Sequence, residues 1–363
     1  GGVFKSKWGD YKFGINKKKN RPYIYATSGS VVAIDVKTGE LLALENFPSY
    51  DPNLFSTGIS NSDWLSLFPE NEKDLLAPRP LYNIAIQTAI QPGSTFKMIT
   101  ALAGLEKGLD PQLEIDDRGY IEIGDTTFGC WLWNQDKRMH GPMDVVDAIR
   151  DSCNYYFYSL ALGRNQQTGE DVGVKLEIED IANMADKFGL GSETGMEINI
   201  PKEASQGVPN PQTKTEVGKV SLRRWLNNNI DRFYIGEGNL NLELKSSIVE
   251  NIVSWMDKEE SLSLQEVYTN LNNLKLDGAQ LVDTTSRNTL ADLIKFSYLN
   301  NSQWTISDTI NITIGQGENS YTLAQMTNYV ASITNGGYKN KLTLIDNVKN
   351  SDNTNVEFNN EPT

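Results

Sequence analysis

A Pro-Gly break followed by an apolar helix sets the strongest limit on how this chain can fold. The break lies at residues 92–93, and residues 94–107 then carry apolar side chains at the spacing of one helix face. Gly108 follows directly and Pro111 comes three positions later, which is typical punctuation for a helix C-terminus. The pattern predicts a core helix with a polar first turn.

Ser94 and Lys97 stand in that first turn, on one helix face and three positions apart. A serine hydroxyl is too weak an acid to attack a carbonyl unaided, so it needs a neighbouring base. Lysine can be that base when burial and the positive helix N-terminus lower its pKa. Backbone N–H groups at the same end can stabilise an oxyanion. The pair predicts an acyl-transfer nucleophile; the alternative is that Ser94 is an N-cap and Lys97 a solvated first-turn residue.

The rest of the sequence alternates short strands with helices. Two apolar runs at 30–36 and 41–45, joined by a turn containing Gly39, predict a β-hairpin buried on both faces. Another strand is predicted at 310–314. Helices are predicted at 142–150, 155–162, 178–188, 222–229, 245–257, 262–274 and 323–334. These elements predict an α+β fold, with a mostly antiparallel sheet flanked by helices.

Composition also divides the chain along its length. Residues 1–25 are basic and aromatic without periodicity, which predicts a connector from an upstream region. Residues 26–205 and 304–363 carry the strand and helix pattern, whereas residues 206–303 are polar and Asn-rich with helical patches. We therefore expect one main domain interrupted by a mainly helical insertion. The ends of the sequence indicate an excerpt of a longer protein.

Charge and rare residues restrict the function classes. The 363 residues include 33 Lys and Arg against 47 Asp and Glu, for a formal net charge of -14. No nucleic acid partner is expected, because phosphate neutralisation needs a Lys/Arg-rich surface. The sequence has no apolar run of about 18 residues, so we expect no membrane span within it. Two Cys and one His exclude a disulfide framework and chemistry that needs two histidines.

Several motifs occur together in one order along the chain. They are residues 30–44, 83–97, 151–158, 188–191 and 314–317. Together they closely resemble the transpeptidase domain of class B penicillin-binding proteins, and most of all its cell-elongation (PBP2-type) branch. The resemblance covers about residues 28–203 and 304–345. It implies the penicillin-binding, serine-transpeptidase fold.

The resemblance implies a peptidoglycan D,D-transpeptidase. Ser94 would attack the penultimate D-alanine carbonyl of a stem peptide, Lys97 would take its proton, and an amine of a neighbouring stem would resolve the acyl-enzyme. β-Lactams would acylate the same serine. Alternatives of the same fold are a D,D-carboxypeptidase and a β-lactamase. A zinc-stabilised, non-catalytic cell-wall scaffold is the alternative from another class.

The family also implies a cellular setting. Members of the family have a single N-terminal membrane anchor, which for this chain would lie outside the sequence. Their catalytic domain stands on the extracytoplasmic face of the cell membrane. Their partners are a membrane glycosyltransferase and other rod-shape elongation proteins. We expect this chain to share them.

The family lines its cleft with Ser-x-x-Lys, Ser-x-Asn and Lys-Thr/Ser-Gly motifs. Ser-x-Asn occurs here at 152–154, 286–288 and 351–353. Only the tripeptide at 152–154 follows Ser94 at a family-like distance and lies between predicted helices. It is therefore the predicted second motif, and the one at 351–353 is predicted to be loop.

The resemblance assigns roles within the second motif. Ser152 would relay a proton between Lys97 and the substrate, and Asn154 would hydrogen-bond the substrate peptide amide. A helix-capping role for Ser152 is compatible with this. The Lys-Thr-Gly at 37–39 precedes the nucleophile and is predicted to be only a hairpin turn. The true third motif is expected after residues 336–337, beyond the end of this sequence.

Cys130, His140 and Cys153 are every cysteine and histidine of the protein, within 24 consecutive residues. Random placement would cluster them this tightly about one time in a hundred, so a metal site is predicted. Thiolate and imidazole favour Zn²⁺ with four ligands. Nearby candidates for the fourth ligand are Asp116, Asp117, Asp125 and Asp136. Some elongation-branch relatives bind zinc at matching positions, and the resemblance implies Asp117, Cys130, His140 and Cys153 as ligands of a structural zinc.

Cys130 departs from some relatives, which carry Asp at that position. Zinc accepts either ligand. Two alternatives stay open: a pair of buried free cysteines with an ordinary surface histidine, or a disulfide between Cys130 and Cys153. Because Cys153 lies between Ser152 and Asn154, a bound zinc would fix the loop that carries both side chains.

Overall fold

The computed structural model describes residues 15–16, 21–22, 28–72, 77–197, 201–205, 207–258, 260–283, 285, 287–345 and 347–356. The connector predicted at 1–25 lies almost wholly outside these residues. Helices and antiparallel strand pairs alternate, so the predicted α+β class is confirmed. Within the described ranges, no helix has the length and apolar character needed to cross a membrane.

The described strands form antiparallel pairs. These are Ile15–Asn16 with Arg21–Pro22, Gly29–Ile34 with Leu41–Phe47, Ala89–Ile90 with Tyr321–Thr322, Ile115–Asp117 with Gly141–Met143, Tyr120–Ile123 with Thr126–Gly129, and Val348–Lys349 with Asn355–Val356. Among the residues described, each strand has a single strand partner.

Helices make up most of the remaining regular structure. The α-helices span Asn61–Ser66, Ile84–Gln87, Lys97–Glu106, Trp131–Asp136, Val145–Arg150, Asn154–Leu162, Ile178–Lys187, Pro211–Asn229, Leu242–Ser254, Leu264–Asn273, Leu290–Asp292, Ile306–Thr313 and Leu323–Thr334. Short 3₁₀ helices span Pro52–Phe55, Gly93–Phe96, Ile230–Phe233 and Trp255–Asp257, and a π-helix spans Leu293–Leu299.

The predicted hairpin is confirmed, but the prediction that both faces are buried is wrong. Val31 is 63% exposed and Leu42 is 62% exposed. The opposite face packs against a small core. Successive strand side chains point to opposite faces, and only one face of this hairpin is covered by the described residues. The two apolar runs could not reveal that asymmetry.

The hairpin turn has the structure expected for residues 37–39. The Asp35 carboxylate accepts the backbone N–H of Lys37 and that of Thr38, at 2.8 and 3.1 Å. Gly39 follows with φ 75°, a conformation that favours glycine. The Lys-Thr-Gly tripeptide is therefore a turn, as predicted.

The chain forms two compact units. One comprises residues 1–92, 185–207 and 320–363, and the other comprises residues 93–184 and 208–319. All the candidate catalytic and metal-ligating residues belong to the second unit. Within it, one hydrophobic core has buried members only between Leu222 and Leu299. The predicted insertion at 206–303 thus contains a core of its own, and its boundaries stay a prediction.

The strand predicted at 310–314 is wrong. These residues belong mostly to the helix Ile306–Thr313. At its start, the Thr305 backbone N–H and hydroxyl both donate to the Asp308 carboxylate, at 2.7 and 2.8 Å. The alternation of Ile with polar residues suggested a strand, but the capping pair fixes a helix whose buried residues follow a helical spacing.

The helix predicted at 142–150 is wrong in its first part. Gly141–Met143 is a strand paired with Ile115–Asp117, and the helix begins only at Val145. Asp144 is its N-cap and accepts the Asp147 N–H at 2.8 Å. The unpredicted strand pair matters because it ends at Asp117 on one side and follows His140 on the other.

The helix predicted at 222–229 is also longer than expected. It begins at Pro211, after an N-cap at Asn210 that accepts the Thr213 N–H at 2.9 Å. Proline in the first turn after an Asn cap is a standard start signal that the polar composition obscured. The helices predicted at 94–107, 155–162, 178–188 and 323–334 are confirmed within a few residues.

Candidate active site

The predicted nucleophile lies in a 3₁₀ turn, Gly93–Phe96, that leads directly into the helix Lys97–Glu106. Ser94 is exposed, whereas the Lys97 side chain beside it is 1% exposed. The turn contacts Gly315 directly: the Gly93 N–H donates to the Gly315 carbonyl at 2.9 Å. A Cβ at position 315 would lie 2.1 Å from the Gly93 oxygen, so only glycine fits there.

Lys97 is the centre of the site. Its Nζ donates to Ser94 Oγ at 3.3 Å and to Ser152 Oγ at 3.1 Å. It also donates to the Ser152 carbonyl at 2.7 Å and to Asn154 Oδ1 at 2.6 Å. All four predicted catalytic residues therefore meet at one nitrogen. An ammonium has three N–H donors for these four acceptors, so the contacts compete with one another.

Burial lowers the pKa of Lys97 to about 8, with the nearby Cys153 and Cys130 thiols acting in the opposite direction. Removing the amine from water disfavours its charged form, and none of its hydrogen-bond partners is a carboxylate. A lysine in this range can exist as the neutral base that an attacking serine needs.

Ser152 has an unusual backbone. It follows the helix Val145–Arg150 with φ 54°, in the left-handed region. The Ser152 N–H donates to the Ile149 carbonyl at 3.2 Å and the Cys153 N–H to the Ala148 carbonyl at 2.9 Å. These are the two bonds of a Schellman helix end, in which glycine is the usual left-handed residue. A serine there costs about 1–2 kcal/mol, and the strain lies at the site itself.

This helix end places the side chains of Ser152 and Asn154 beside Ser94 and Lys97. The Ser152 hydroxyl donates to Ser94 Oγ at 2.9 Å. Asn154 is the first residue of the next helix, Asn154–Leu162, and its carboxamide oxygen contacts Lys97. Its role toward a substrate amide stays a prediction. The sequence did not predict the Asn154–Lys97 contact, because nothing in the motif specifies where a side chain 57 positions away points.

The other Ser-x-Asn tripeptides lie elsewhere. Residues 351–353 form a turn between two short strands, as predicted. Ser286 lies outside the described residues.

The predicted metal ligands also converge. One ligand atom from each of Asp117, Cys130, His140 and Cys153 lies within 4.8 Å of the others. Asp117 ends a strand, Cys130 precedes the helix Trp131–Asp136, and Cys153 joins two helices. Asp116, an alternative candidate, instead pairs with Arg118 at 2.6 Å.

The donor atoms suit a small cation with tetrahedral coordination. The two sulfurs are 3.8 Å apart, and Cys130 Sγ is 3.7 Å from His140 Nδ1. Bonds of about 2.3 Å from a tetrahedral zinc would place two sulfurs about 3.8 Å apart. Asp117 Oδ2 lies closer, at 2.6 Å from His140 Nδ1, in a direct hydrogen bond. The spacing of the two sulfurs and the nitrogen fits zinc, and the donor set of two sulfurs, one nitrogen and one oxygen suits its chemistry. The Asp117–His140 pair has the spacing of a hydrogen bond and would have to open slightly for both atoms to bind one ion.

Burial and local dipoles reinforce this arrangement. Both cysteines are fully buried free thiols, which either interpretation expects, whereas the His140 side chain is only 8% exposed and does not lie on the surface. The hydrogen bond between the two sulfurs lowers the pKa of the Cys130 thiol and raises the pKa of Cys153. The Asn154 N–H, at a helix N-terminus, also donates to Cys130 Sγ at 3.3 Å. A thiolate at Cys130 is favoured there.

The hairpin that positions Cys130 was not predicted. It pairs Tyr120–Ile123 with Thr126–Gly129, and the Cys130 N–H then donates to the Gly119 carbonyl at 2.7 Å. The sequence does contain a signal, since the alternating run Ile121-Glu122-Ile123 precedes a Gly-Asp turn.

Residues 29–363 match the family model of the penicillin binding protein transpeptidase domain. The peptidoglycan D,D-transpeptidase MrdA of Acinetobacter baumannii is 36% identical over 211 residues, covering 58% of this chain and 28% of that protein. The peptidoglycan D,D-transpeptidase PbpA of Mycolicibacterium smegmatis is 34% identical over 189 residues, covering 50% and 34%. The chain therefore spans less than half the length of these curated relatives.

Solved structures share the fold. One is the complex between penicillin-binding protein (PBP2) and MreC from Helicobacter pylori. Its match has a TM-score of 0.51 at 21% identity, and covers 87% of this chain and 39% of that chain.

Proposed function

The chain belongs to the penicillin binding protein transpeptidase domain family, and from that membership we propose that it is a serine D,D-transpeptidase of peptidoglycan synthesis. One observation carries the proposal: the buried amine of Lys97 lies 3.3 Å from the exposed hydroxyl of Ser94. That is the geometry of a nucleophile beside its base. An exposed nucleophile with a buried base lets a substrate reach one while the other stays shielded from water.

The reaction would begin with proton transfer from Ser94. Neutral Lys97 accepts the proton as Ser94 Oγ attacks the carbonyl of the penultimate D-alanine in a stem peptide. Ser152 Oγ contacts both Ser94 Oγ and Lys97 Nζ, so it can carry the proton when the two are not aligned. The terminal D-alanine leaves with that proton. An amine of a second stem peptide then attacks the acyl-enzyme. The bond between the acyl group and Ser94 Oγ breaks, Ser94 regains a proton given up by the amine, and the new amide is the cross-link.

The start of the nucleophile helix supports the charged intermediate. The Ser94 N–H lies in a helix first turn, where backbone donors lack intrahelical acceptors. A carbonyl oxygen placed there would gain negative charge close to these donors and to the positive end of the helix. β-Lactams would acylate Ser94 by the same attack.

Asp117, Cys130, His140 and Cys153 would hold a structural zinc. The fit of their donor atoms and the burial of both cysteines support this. A zinc ion there would supply rigidity rather than substrate chemistry, because Cys153 stands between Ser152 and Asn154. Its binding would tie the end of one helix and the start of the next to Asp117 and His140.

The setting of the reaction also follows from the family. A domain acting on stem peptides would work on the extracytoplasmic face of the cell membrane, held by an anchor outside this stretch. The PBP2 from Helicobacter pylori forms a complex with MreC. We extend this to a partner from the rod-shape elongation machinery for the present protein, along with a membrane glycosyltransferase.

The proposed function is tested by covalent labelling. Incubated with a labelled penicillin, the protein is expected to gain one adduct, found by mass spectrometry on the tryptic peptide that ends at Lys97. Ser94→Ala should give none, whereas Ser56→Ala, at another exposed serine, should label like the wild type. Absence of any adduct on folded wild-type protein would favour the non-catalytic scaffold.

The fate of the adduct separates enzymes of the same fold. A transpeptidase should keep the penicilloyl group for many minutes and transfer a stem-peptide acyl group to an added amine. Rapid release of the penicilloyl group would indicate a β-lactamase. Transfer to water alone would indicate a carboxypeptidase.

A further inference from the structure

Trp131 lies between the metal-ligand cluster and the second motif and belongs to neither. It is the first residue of the helix that follows Cys130, and it is 42% exposed. Its indole N–H donates to the Asp151 carbonyl at 3.1 Å. Its ring meets the His140 ring edge to face, with centroids 5.6 Å apart. An exposed tryptophan held on two sides is fixed in orientation.

The Asp151 carbonyl is a group that needs a donor. It lies just after the helix Val145–Arg150, where the last carbonyls of a helix lack intrahelical partners. Trp131 supplies that donor for Asp151, and Lys97 supplies one for the next carbonyl, that of Ser152. Two side chains from distant parts of the sequence therefore hold consecutive carbonyls of the strained segment.

The contact acts on one peptide unit. The Asp151 carbonyl and the Ser152 N–H belong to the same planar group, so fixing both ends prevents its rotation. The N–H end is held by the Ile149 carbonyl at 3.2 Å, and the oxygen end is held by Trp131. A rotation of this plane would change φ of Ser152 from its left-handed value. One hydrogen bond, worth about 1 kcal/mol, is comparable with the left-handed strain of about 1–2 kcal/mol.

We propose that Trp131 is a positioning residue, whose indole N–H locks the Asp151–Ser152 peptide so that Ser152 faces Lys97 and Ser94. This rests on the proposed acyl transfer at Ser94. Trp131 does not touch the reacting atoms; it acts through the backbone of Ser152. The N–H, rather than the ring, is the group that matters.

Trp131→Phe separates the two parts of the side chain, because it keeps an aromatic ring against His140 and removes the donor. Trp133→Phe is the matched control. Trp133 lies on the same helix, but its ring packs on Tyr120 and Gly119. Both variants, with the wild type, are compared in stopped-flow acylation by a chromogenic cephalosporin. Melting temperature and zinc content are measured on the same preparations.

We expect Trp131→Phe to lower the acylation rate constant about fivefold to tenfold, the size of one lost hydrogen bond. The dissociation constant of the non-covalent cephalosporin complex should stay within about twofold of wild type, as should zinc content. Trp133→Phe should match the wild type in both constants. Acylation by Trp131→Phe within about twofold of wild type would overturn the proposal, as would equal losses in both variants. A Trp131→Phe variant that lost zinc but was acylated at the wild-type rate would also overturn the proposal.

A second measurement does not depend on acylation. In ¹⁵N NMR spectra of the wild type, the Trp131 indole N–H should exchange with solvent more slowly than that of the exposed Trp64. In Trp131→Phe the Ser152 backbone amide signal should shift. If the wild type is not acylated at all, the proposed function fails, and these signals still decide whether Trp131 holds the Ser152 peptide. An unprotected indole and an unmoved Ser152 signal would overturn it.

Discussion

At the scale of single residues, Ser152 answers two opposed demands. Its backbone occupies the left-handed position of a helix end, where glycine would be least strained. Its hydroxyl contacts both Ser94 and Lys97, and glycine would offer neither contact. The side chain is therefore retained at a cost in stability. Such a conflict between local preference and overall structure is expected at a functional position.

Ser152→Gly should consequently make the protein more stable and less active. Relief of the left-handed strain should raise the free energy of unfolding by about 1 kcal/mol, measured by urea denaturation. Loss of the hydroxyl should slow acylation of Ser94 by about 10- to 100-fold. Ser152→Ala is the matched control, since it removes the hydroxyl but keeps Cβ. It should lose similar activity without gaining stability, and a glycine variant less stable than the alanine variant would contradict the prediction.

Acylation should depend on the charge of Lys97. Its pKa is lowered by burial to about 8, so the neutral base predominates only above that pH. The acylation rate should rise with pH and level off above about 8. The lowered pKa also affects stability. Between about pH 8 and the ordinary pKa of lysine, the unfolded state binds a proton that the folded state does not. The contribution of Lys97 to the free energy of unfolding therefore rises with pH in that window.

The measurement is a pH–rate profile for labelling by a penicillin, with Lys107→Gln as control. Lys107 is the C-cap of the helix Lys97–Glu106 and pairs with Asp180 at an exposed site. The control profile should match that of the wild type. A wild-type rate that is flat between about pH 6 and about pH 10 would rule out Lys97 as the titrating base.

At the scale of elements, the site is built where the helices Val145–Arg150 and Asn154–Leu162 meet. The three residues between them contain the Schellman turn at Ser152 and the metal-ligand candidate Cys153. Any group that binds Cys153 therefore restrains the ends of both helices. The strand Ile115–Asp117 and the segment before Gly141–Met143 supply the other side of the cluster.

Removal of a bound zinc should loosen this junction. A chelator should lower the melting temperature by about 5 °C or more, corresponding to roughly 2 kcal/mol in a unit of this size. Acylation of Ser94 should slow as well, because the Ser152 backbone loses its restraint. Cys130→Ser should mimic the chelator, whereas Cys130→Asp keeps a zinc ligand and should retain most of the metal. Unchanged melting and acylation after complete metal removal would show that the cluster has no structural role.

Local signals decided which elements could be predicted. The helix Leu323–Thr334 was predicted with its observed bounds, because its apolar spacing ends at Gly336 and Gly337. The helix at 306–313 was missed, since Ile alternating with polar residues outweighed the Thr305 capping signal. Motifs and rare residues predicted the members of both clusters except Asp117, which the family resemblance singled out from four nearby aspartates. The left-handed Ser152 was not predicted, because glycine is the usual residue at that position of a helix end. The contacts of Trp131 and Gly315 were not predicted either, because they join residues far apart in the sequence.

At the scale of the whole molecule, each compact unit carries its own buried core. In one unit a small core lies under the hairpin Gly29–Ile34 and Leu41–Phe47. In the other, the helices between residues 211 and 299 bury side chains among themselves. Composition marked this stretch as different, but polar and Asn-rich sequence hid how many of its apolar residues are buried. Hydrophobic periodicity is harder to recognise when solvent-facing positions outnumber buried ones.

The burial of Cys130 and Cys153 has a practical consequence for spectroscopy. They are the only two cysteines of the chain, and solvent reaches neither. A maleimide dye or nitroxide reagent should leave the native protein unmodified. A single cysteine introduced at an exposed site, such as Leu242→Cys, would then be the one thiol available for labelling. Distances and motions within this molecule can thus be measured without first removing its natural cysteines.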